Sequence, residues 1–490
     1  MRFDGFIGPS YQTPAVQVDA QRSVNLYPEF IAPDGGSSSE KAVLVRTPGL
    51  LLLNDQMGPG VGRALFSVSG RVFAIVADRF YEITQTGAAP PYSYVAAQRG
   101  TVSASGAINP LRIQTNGVQL LILGSLTAYL FNMGTNTLTN LGFLGFNWNR
   151  SGLAVVDTYF VAVNADSNQF QISAPLDGST WSAIDFGSTQ EADAIVALEE
   201  LHGYLWIFGE NTIVVYQDTG SASFPFQRVP GSKIEQGLGA ALSLVKLDNS
   251  IFWLGSSSRG PAVVYRADGF LPSRISTHAL EAALQSYSTV SDAIASTYEE
   301  RGHLFYRLDF PTAGATWVYD VATKAWHERG YWNTATGAYV AHPGRYHAFC
   351  FGRHLVLSAT DGKLYDQSLA YYDDAGNPLR WMRRAPHIDD KAGRRKLFYR
   401  RFELVMNTGF DAAPGSNPQV FLRWSNDGGV TWSGDEGAAA AAGALGDYSR
   451  RVMWRQLGSA RSRVFEVNGA DPLPDLVLIG AELRIDQGLS

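Results

Sequence analysis

Residues Ile172–Gly220 read ISAPLDGSTWSAIDFGSTQEADAIVALEELHGYLWIFGENTIVVYQDTG, and this stretch decides the fold. Three short apolar runs, Ala194–Glu199, Tyr204–Gly209 and Thr212–Gln217, are separated only by the turns around Leu201–His202–Gly203 and Glu210–Asn211. Parallel neighbours need long crossovers, so runs this close together can only go up, down and up. Just before them, Asp177-Gly178-Ser179-Thr180-Trp181 is a polar turn closed by a large aromatic. The stretch is one small antiparallel sheet with an aromatic plug beside it. Such a sheet cannot bury both faces alone.

The same text recurs in kind along the chain. Ala64–Thr84, Leu111–Leu141, Gly152–Phe186, Ile195–Val229, Ala241–Ser276, Val290–Gly330 and Gly337–Ser368 each hold three or four strand-like runs joined by tight turns. Asn116–Gly117 is the strongest hairpin dipeptide among them. A spacing of about 40 residues is the period of propeller repeats, and a closed ring of such units leaves only short, protected edges. The expected fold is therefore all-β, a propeller of six or seven blades over residues 63–377, six if the first unit belongs to the segment before it.

Three further segments flank or interrupt the repeats. Residues 1–62, broken by Pro9, Pro14, Pro28, Pro33 and Pro48, read as an extended N-terminal arm without regular structure. Within it Val24, Leu26 and Phe30 are spaced as one face of an extended segment. Near 276–287 a short helix is expected, capped by Ser276 or Thr277, with Leu280, Ala283 and Leu284 as its apolar stripe, inserted on one face of the ring. After Asn377–Pro378 the composition shifts, and residues 378–490 read as a C-terminal β-sandwich with a mobile Ala/Gly-rich loop at 434–446.

Composition agrees with this and excludes several classes. Of 490 residues 50 are glycine and only 17% are charged, which suits many short strands and tight turns and argues against helical bundles and disorder. Cys350 is the only cysteine, so an intrachain disulfide framework and a thiolate zinc cluster are ruled out. The start, Met1-Arg2-Phe3-Asp4-Gly5, lacks an apolar signal region, and the run Val118–Phe131 is too short to span a bilayer. A soluble protein made in a cytosol, without membrane insertion, is expected. Residues 378–490 carry 16 Lys/Arg against 13 Asp/Glu, a net of +3, which leaves −9 for residues 1–377.

Among candidate sites the sharpest is Ser425-Asn426-Asp427-Gly428-Gly429-Val430-Thr431-Trp432, which has the S-x-D-x-G-x-T-W form of an Asp-box. In that turn Asp427 accepts backbone N–H bonds, Gly429 supplies backbone freedom, and Ser425, Thr431 and Trp432 complete the brace. Asp177 and Trp181 form a partial cousin. Asp-boxes occur in glycan-active propellers, so the alternative function is a propeller that binds or hydrolyses glycans. The turn-brace reading is preferred, and no catalytic residue is assigned. Glu199–Glu200 and Glu299–Glu300 are adjacent on strands and point to opposite faces, so neither makes a glycosidase pair. His342, His347 and His354 lack a ligand signature, Gly58–Arg63 lacks the lysine of a phosphate loop, and no cofactor or metal is expected.

The basic feature is Arg380, Arg383, Arg384, Arg394, Arg395, Lys396, Arg400 and Arg401, interleaved with Trp381, Phe398 and Tyr399. Such a stretch suits nucleic acid, or a neighbouring subunit's acidic propeller. The second reading is preferred, which makes these residues a candidate subunit or partner interface.

Several phrases carry a family resemblance: Ser23–Glu29 (SVNLYPE), Leu176–Phe186 (LDGSTWSAIDF), Gly231–Leu244 (GSKIEQGLGAALSL) and Arg274–Glu281 (RISTHALE). Gly302–Phe310, Thr316–Gly330 (TWVYDVATKAWHERG), the Asp-box and Arg451–Val467 (RVMWRQLGSARSRVFEV) continue the series in order. Together they resemble the tail nozzle, or tail hub, proteins of short-tailed bacteriophages, also called packaged DNA stabilisation or head-completion proteins. The resemblance implies a non-enzymatic virion component, made in the host cytoplasm. It would form a homo-hexameric ring below the portal–adaptor ring, dock a tailspike or tail fibre and a tail needle, and pass double-stranded DNA without reading its sequence. An acidic propeller fits such a path, because basic walls would pin the duplex through its phosphates.

Overall fold

The computed structural model describes residues 1–13, 19–31, 41–102, 109–124, 127–142, 148–221, 223–257, 260–390, 395–410, 415–434 and 437–488. Seven antiparallel sheets form a closed ring of blades. Their innermost strands are Gly62–Val68, Arg112–Thr115, Trp148–Val156, Ile195–Leu201, Val245–Leu247, Ile294–Glu300 and Gly344–Cys350, and the last lies beside the first. The first repeat is thus a blade of the ring, and the count is seven.

The stretch quoted at the outset straddles two blades. Ile195–Leu201, Tyr204–Gly209 and Ile213–Asp218 are the first three strands of blade 4, closed by Phe226–Arg228. His202 and Gly203, at φ +54° and +79°, are the two central residues of a hairpin in which Leu201 faces Tyr204. Positive φ at both positions matches the twist of the flanking strands. Asp177–Ser188 is instead the outer strand of blade 3.

Apolar clusters fill the spaces between blades. Phe73, Phe80 and Phe131 join blades 1 and 2; Leu121, Leu130 and Phe160 join 2 and 3; Phe170, Leu205 and Tyr216 join 3 and 4; Trp206, Phe208 and Trp253 join 4 and 5. Blades 5 and 6 meet through Phe252, Tyr306 and Trp326, with Leu280 and Leu284 of the helix His278–Gln285 completing the cluster. Thr277 caps that helix, its hydroxyl accepting the Leu280 N–H at 3.2 Å. Because both leucines lie in the inter-blade core, the helix is a wedge between blades rather than an ornament on one face. Leu355 and Leu357 of blade 7 pack with Val72 and Ala74 of blade 1, which closes the ring.

The contact between blades 6 and 7 differs from these six. No apolar cluster of described residues joins them; buried charges do. Arg307, held by Asp309 at 2.8 Å within blade 6, reaches the His342 carbonyl at 3.5 Å, and Arg329 donates to the Pro48 carbonyl at 2.6 Å and lies 3.2 Å from His342 Nε2, both just outside blade 7 strands.

Residues 1–62 overturn the expectation of an irregular arm. Ala20–Val24, Leu26–Ile31, Lys41–Arg46 and Gly49–Asn54 are strands in three different sheets. Ala20–Val24 lies between Ala325–Glu328, the outer strand of blade 6, and Trp381–Arg384 of the sandwich. Gly49–Asn54 completes blade 7 by pairing with Leu364–Ser368. Leu26–Ile31 and Lys41–Arg46 form a hairpin that extends the second sandwich sheet through Val477–Gln487. Pro28 sits in the edge strand of that sheet, where its missing N–H breaks no ladder. Val24 and Leu26 are buried, but Phe30 is 50% exposed. Val24 does not share the face of Leu26 and Phe30, because the chain changes sheets at Asn25.

Behind residue 378 the two sandwich sheets enclose a core built from Trp381, Tyr399, Phe402, Leu422, Trp454 and Phe465. The Ala-rich segment is a further correction. Residues 435–436 of the expected mobile loop lie outside the described residues, but Ala438–Ala441 is a strand paired with Gln419–Leu422. Its small side chains let the edge lie close, and the Trp454 indole N–H donates to the Ala438 carbonyl at 2.7 Å.

Candidate functional site at the propeller–sandwich seam

Asn25 is the pivot of the seam. It is fully buried at φ +56°, a conformation asparagine tolerates better than most residues. Its Nδ2 donates to the carbonyls of Gly330 at 2.8 Å and Arg380 at 2.7 Å, while its Oδ1 accepts the Gly330 N–H at 3.0 Å. One side chain thus ties the arm to blade 6 and to the sandwich. The phrase Ser23-Val24-Asn25-Leu26 exists to make this change of sheet.

Beside the pivot runs a ladder of charges across four strands. Arg22 is opposite Arg384, Arg384 opposite Glu466, and Glu466 opposite Arg423. Glu328 takes Arg22 at one end. The nearly buried Glu466 accepts from Arg384 at 2.9 Å and from Arg423 at 2.5 Å. The Trp432 ring lies between those two guanidiniums, 4.7 and 4.6 Å from its centroid. Like charges at Arg22 and Arg384 are tolerated because each has its own carboxylate.

The basic stretch is therefore largely spent inside the chain. Arg383 is completely buried and donates to Phe6 O, Pro9 O, Gly5 O, Ser23 Oγ and Gln21 Oε1 at 2.6–3.1 Å. Burial lowers its pKa to about 9. Arg384 belongs to the ladder, and Arg380 stacks on Trp332 at 4.2 Å and donates to Asn468 at 2.9 Å. Arg383 and Arg384 thus bind the arm and the Asp-box of their own chain. Run length in the sequence signals basicity but not which guanidiniums are already taken. Arg401 lies 3.5 Å from Glu403 and Arg400 pairs with Asp486 at the surface, at 2.7 Å. Arg395 and Lys396 are exposed, and Arg394 lies outside the described residues.

The Asp-box has the geometry of a turn brace. Asp427 Oδ1 accepts the Ser425 hydroxyl at 2.6 Å and the backbone N–H of Val430 and Thr431 at 3.0 and 2.9 Å; Oδ2 accepts the Thr431 hydroxyl at 2.5 Å. Gly429, at φ +97°, presents its carbonyl to the Trp432 indole N–H at 3.1 Å. These donors, the Ser425 and Thr431 hydroxyls first, hold the Asp427 carboxyl well below the usual range. Asp177 repeats the scheme one residue shorter. It accepts Ser179 and Thr180 hydroxyls at 2.6 and 2.7 Å, and Trp181 donates to Gly178 O at 2.8 Å. A Cβ on Gly178 would lie 2.8 Å from Leu130, so this turn is pressed against blade 2. Both aspartates are saturated by their own turns.

At the hub, Arg112 of blade 2 reaches past blade 3 to pair with Glu199 of blade 4, and Lys246 of blade 5 holds Glu200 at 2.8 Å. Charge pairs thus link the inner strands of blades 2 and 4 and of blades 4 and 5. Nearby a cavity of about 760 Å³ opens between blades 5, 6 and 7, lined by Leu247, Tyr298, Glu299, Phe349, His347 and His354. The three histidines part company: His342 turns to Arg329, whereas His347 Nε2 and His354 Nδ1 lie 3.0 Å apart. Among the described residues no group of three or more His, Cys, Asp or Glu is arranged to hold a metal ion. No helix of the described residues is long and apolar enough to cross a membrane.

The structure is a seven-bladed propeller stitched by its own N-terminal strands to a β-sandwich. Family comparison gives the same two parts in the same order. The bacteriophage P22 Gp10 β-propeller model matches residues 19–369, and the P22 Gp10 β-sandwich model matches residues 380–486. The chain belongs to the bacteriophage P22 Gp10 family, the tail nozzle or packaged DNA stabilisation proteins, and is a phage structural protein. No curated protein sequence matches it. Among solved structures it is similar to the N-terminal domain of Nup159, at 11% identity over 66% of this chain and 95% of that one, with a TM-score of 0.40. The extracellular domain of the hybrid two-component system BT4673 from B. thetaiotaomicron is similar at 9% identity over 76% of this chain and 43% of that one, with a TM-score of 0.41. Likenesses this low carry no argument.

Proposed function

We propose that six copies of this chain form the nozzle ring of a phage tail. The ring extends the DNA exit channel below the portal–adaptor ring and helps to close it. It docks a tailspike or tail fibre and a tail needle, and passes duplex DNA without sequence-specific binding. The protein acts in the virion after synthesis in the host cytoplasm and catalyses no reaction. The observation that carries this reading is the succession of the two Gp10 domains along nearly the whole chain. Acidic residues 1–377 suit the walls of such a channel.

Light scattering of the pure protein tests the proposal. A hexamer is expected, or a monomer that becomes one on adding portal–adaptor rings; a monomer indifferent to those rings overturns it. The exposed Arg395, Lys396 and Arg400 are proposed, together with Arg394, which lies outside the described residues, as a contact to the next copy. Arg394→Glu with Arg395→Glu then weakens ring assembly more than DNA retention, whereas intact rings that leak DNA would move these residues to the channel.

A further inference from the structure

We propose that the outer face of the second sandwich sheet is the basic half of a head-to-tail contact, and that blades 3 and 4 of the next copy supply the acidic half. The inference rests on the ring reading above and names the two surfaces that join its copies. Val452–Arg455, Leu397–Met406 and Val477–Gln487 are adjacent strands in that order. Their register sets Arg401 directly opposite Arg455 on one side and Arg484 on the other. Phe402, Trp454 and Leu483, the next residue along on each strand, lie in the sandwich core, so the three arginines point outward. Adjacent strands stand about 4.8 Å apart, which puts three guanidinium-bearing positions within about 10 Å.

Like charges directly opposite each other destabilise a sheet unless counter-ions answer them. Here the carboxylates of the face are already taken. Glu403 accepts two bonds of 2.7 Å from Arg451 and lies 3.5 Å from Arg401, and Asp486 is held by Arg400 at 2.7 Å. Glu482 stands opposite Glu403, with Arg2 bridged to its other side. Six arginines thus meet three carboxylates. Arg455 and Arg484 are exposed and make no ion pair among the described residues, and the buried Nε of Arg401 has no hydrogen-bond partner there. The row asks for an anionic partner.

The chain carries the complement elsewhere. Residues 151–227, nearly the whole of blades 3 and 4, hold ten Asp and Glu and no Lys or Arg. Glu191, Glu199 and Glu200 are answered by Arg228, Lys233, Arg112 and Lys246, all from outside that segment. Asp177 and Asp193 are spent on turns. Asp166 and Glu210 remain exposed, with no side-chain partner among the described residues. They occupy the turns between the second and third strands of neighbouring blades, and so share one face of the disc. Counting round seven blades, blade 3 stands opposite the junction of blades 6 and 7, whereas the sandwich continues outward from the outer strand of blade 6. The two surfaces therefore lie at opposite ends of the chain and cannot neutralise each other within one copy. An isologous pair built on either patch would set like charges together. Complementary patches at opposite ends make a heterologous contact, the kind that generates rings. Phosphates of a duplex would also take the arginine row, but they would leave the acidic blades unanswered.

Charge reversal of the full chain tests the contact, with ring formation followed by light scattering, alone and on portal–adaptor rings. Arg401→Glu with Arg484→Glu, and separately Asp166→Lys with Glu210→Lys, should each lower ring yield about 10-fold or more. An equimolar mixture of the two variants should restore rings of alternating copies, because each reversed patch then meets the other. Wild-type rings should come apart as salt rises from about 0.1 to about 1 M, where the screening length falls from about 10 to about 3 Å. Where a reversed variant folds poorly, Arg401→Gln with Arg484→Gln carries the test: it should flatten that salt dependence, and one as steep as the wild type's overturns the contact. Wild-type rings that persist in both reversed variants, or that folded variants fail to rebuild on mixing, overturn it while leaving the ring reading standing. A wild type that forms no ring by either route overturns both. Intact rings of the Arg401→Glu, Arg484→Glu variant that have lost duplex binding seen in the wild type would assign the face to nucleic acid instead.

Discussion

Arg22 and Glu328 lie 306 positions apart in the chain, yet Arg22 Nε and Nη2 donate to the two oxygens of Glu328 at 2.9 and 2.5 Å. This fork-to-fork pair stands where Val24 runs parallel to Glu328, on the outer edge of blade 6. Glu328→Ala leaves a largely enclosed guanidinium without its carboxylate and should cost about 1–3 kcal/mol. Limited proteolysis should then cut within the first two dozen residues well before blades 1–5. Arg22→Lys should not restore protection, because an ammonium cannot engage both oxygens.

Arg383 gives a sharper test of the same seam. Its guanidinium gathers five acceptors of the arm, and no carboxylate is among them. Arg383→Met strands those acceptors and should cost about 3 kcal/mol or more, with Arg383→Lys little better. Calorimetry should replace one cooperative transition with two, as the propeller and sandwich cease to melt together. A single unshifted transition would show that the arm does not couple them.

Trp181 and Asp427 separate the two turn braces. Trp181 packs against the apolar cluster between blades 2 and 3, so Trp181→Ala should destabilise the propeller by about 2–3 kcal/mol, below the cost for a fully buried Trp. Asp427 is only half-buried, and Asp427→Asn should loosen only the local hairpin. Hydrogen exchange should quicken at Val430 and Thr431 while the global urea midpoint barely moves.

Acid should open the ring at one place. His327, His342 and His347 are held neutral chiefly by burial, their pKa values lowered to about 3, 4 and 3. Each lies on blade 6, on blade 7 or between them. A base with a depressed folded pKa contributes stability that is complete above its unfolded value near 6.5 and is lost as pH falls toward the folded one. His303 opposes them: its bond to Asp320 raises its pKa, so its contribution is complete below the unfolded value and fades as pH rises through the folded one. His354 on blade 7 is likewise lowered by burial, so with four against one the urea midpoint should fall steadily from pH 6.5 to 4. Exchange protection should be lost first in Ile294–Glu328 and Gly344–Ser368. Uniform loss across all seven blades would refute this.

The blades were legible because their partners are neighbours in sequence. Leu201–Tyr204 announces its hairpin within four residues, and Asn116–Gly117 does the same. The braces at Asp177 and Asp427 were legible for that reason too. The arm was not, since Val24 pairs with Glu328 and Met382, and nothing near Val24 reports either. Prolines that signal a break in a local reading are harmless in an edge strand, as Pro28 shows. The basic stretch was readable as charge only; that Arg383 is buried under the arm depends on Gly5–Pro9, more than 370 residues away. His347 and His354 show the same limit, because a hairpin, not a spacing rule, brings them together.

The arm also sets a timetable. Residues 20–31 find their partners at 325–328, 381–384 and, through the adjoining strand, 477–478, so these strands must wait for segments made roughly 300 to 450 residues later. Gly49–Asn54, with four consecutive leucines, must likewise wait for Leu364–Ser368. Until then these segments are unpaired strands with apolar faces, open to the wrong partner. Blades 1–5 can assemble as they emerge, each against the one before. The nascent chain would thus carry a growing arc of blades with a loose leader, and the final 100 or so residues would decide whether that leader is captured or aggregates.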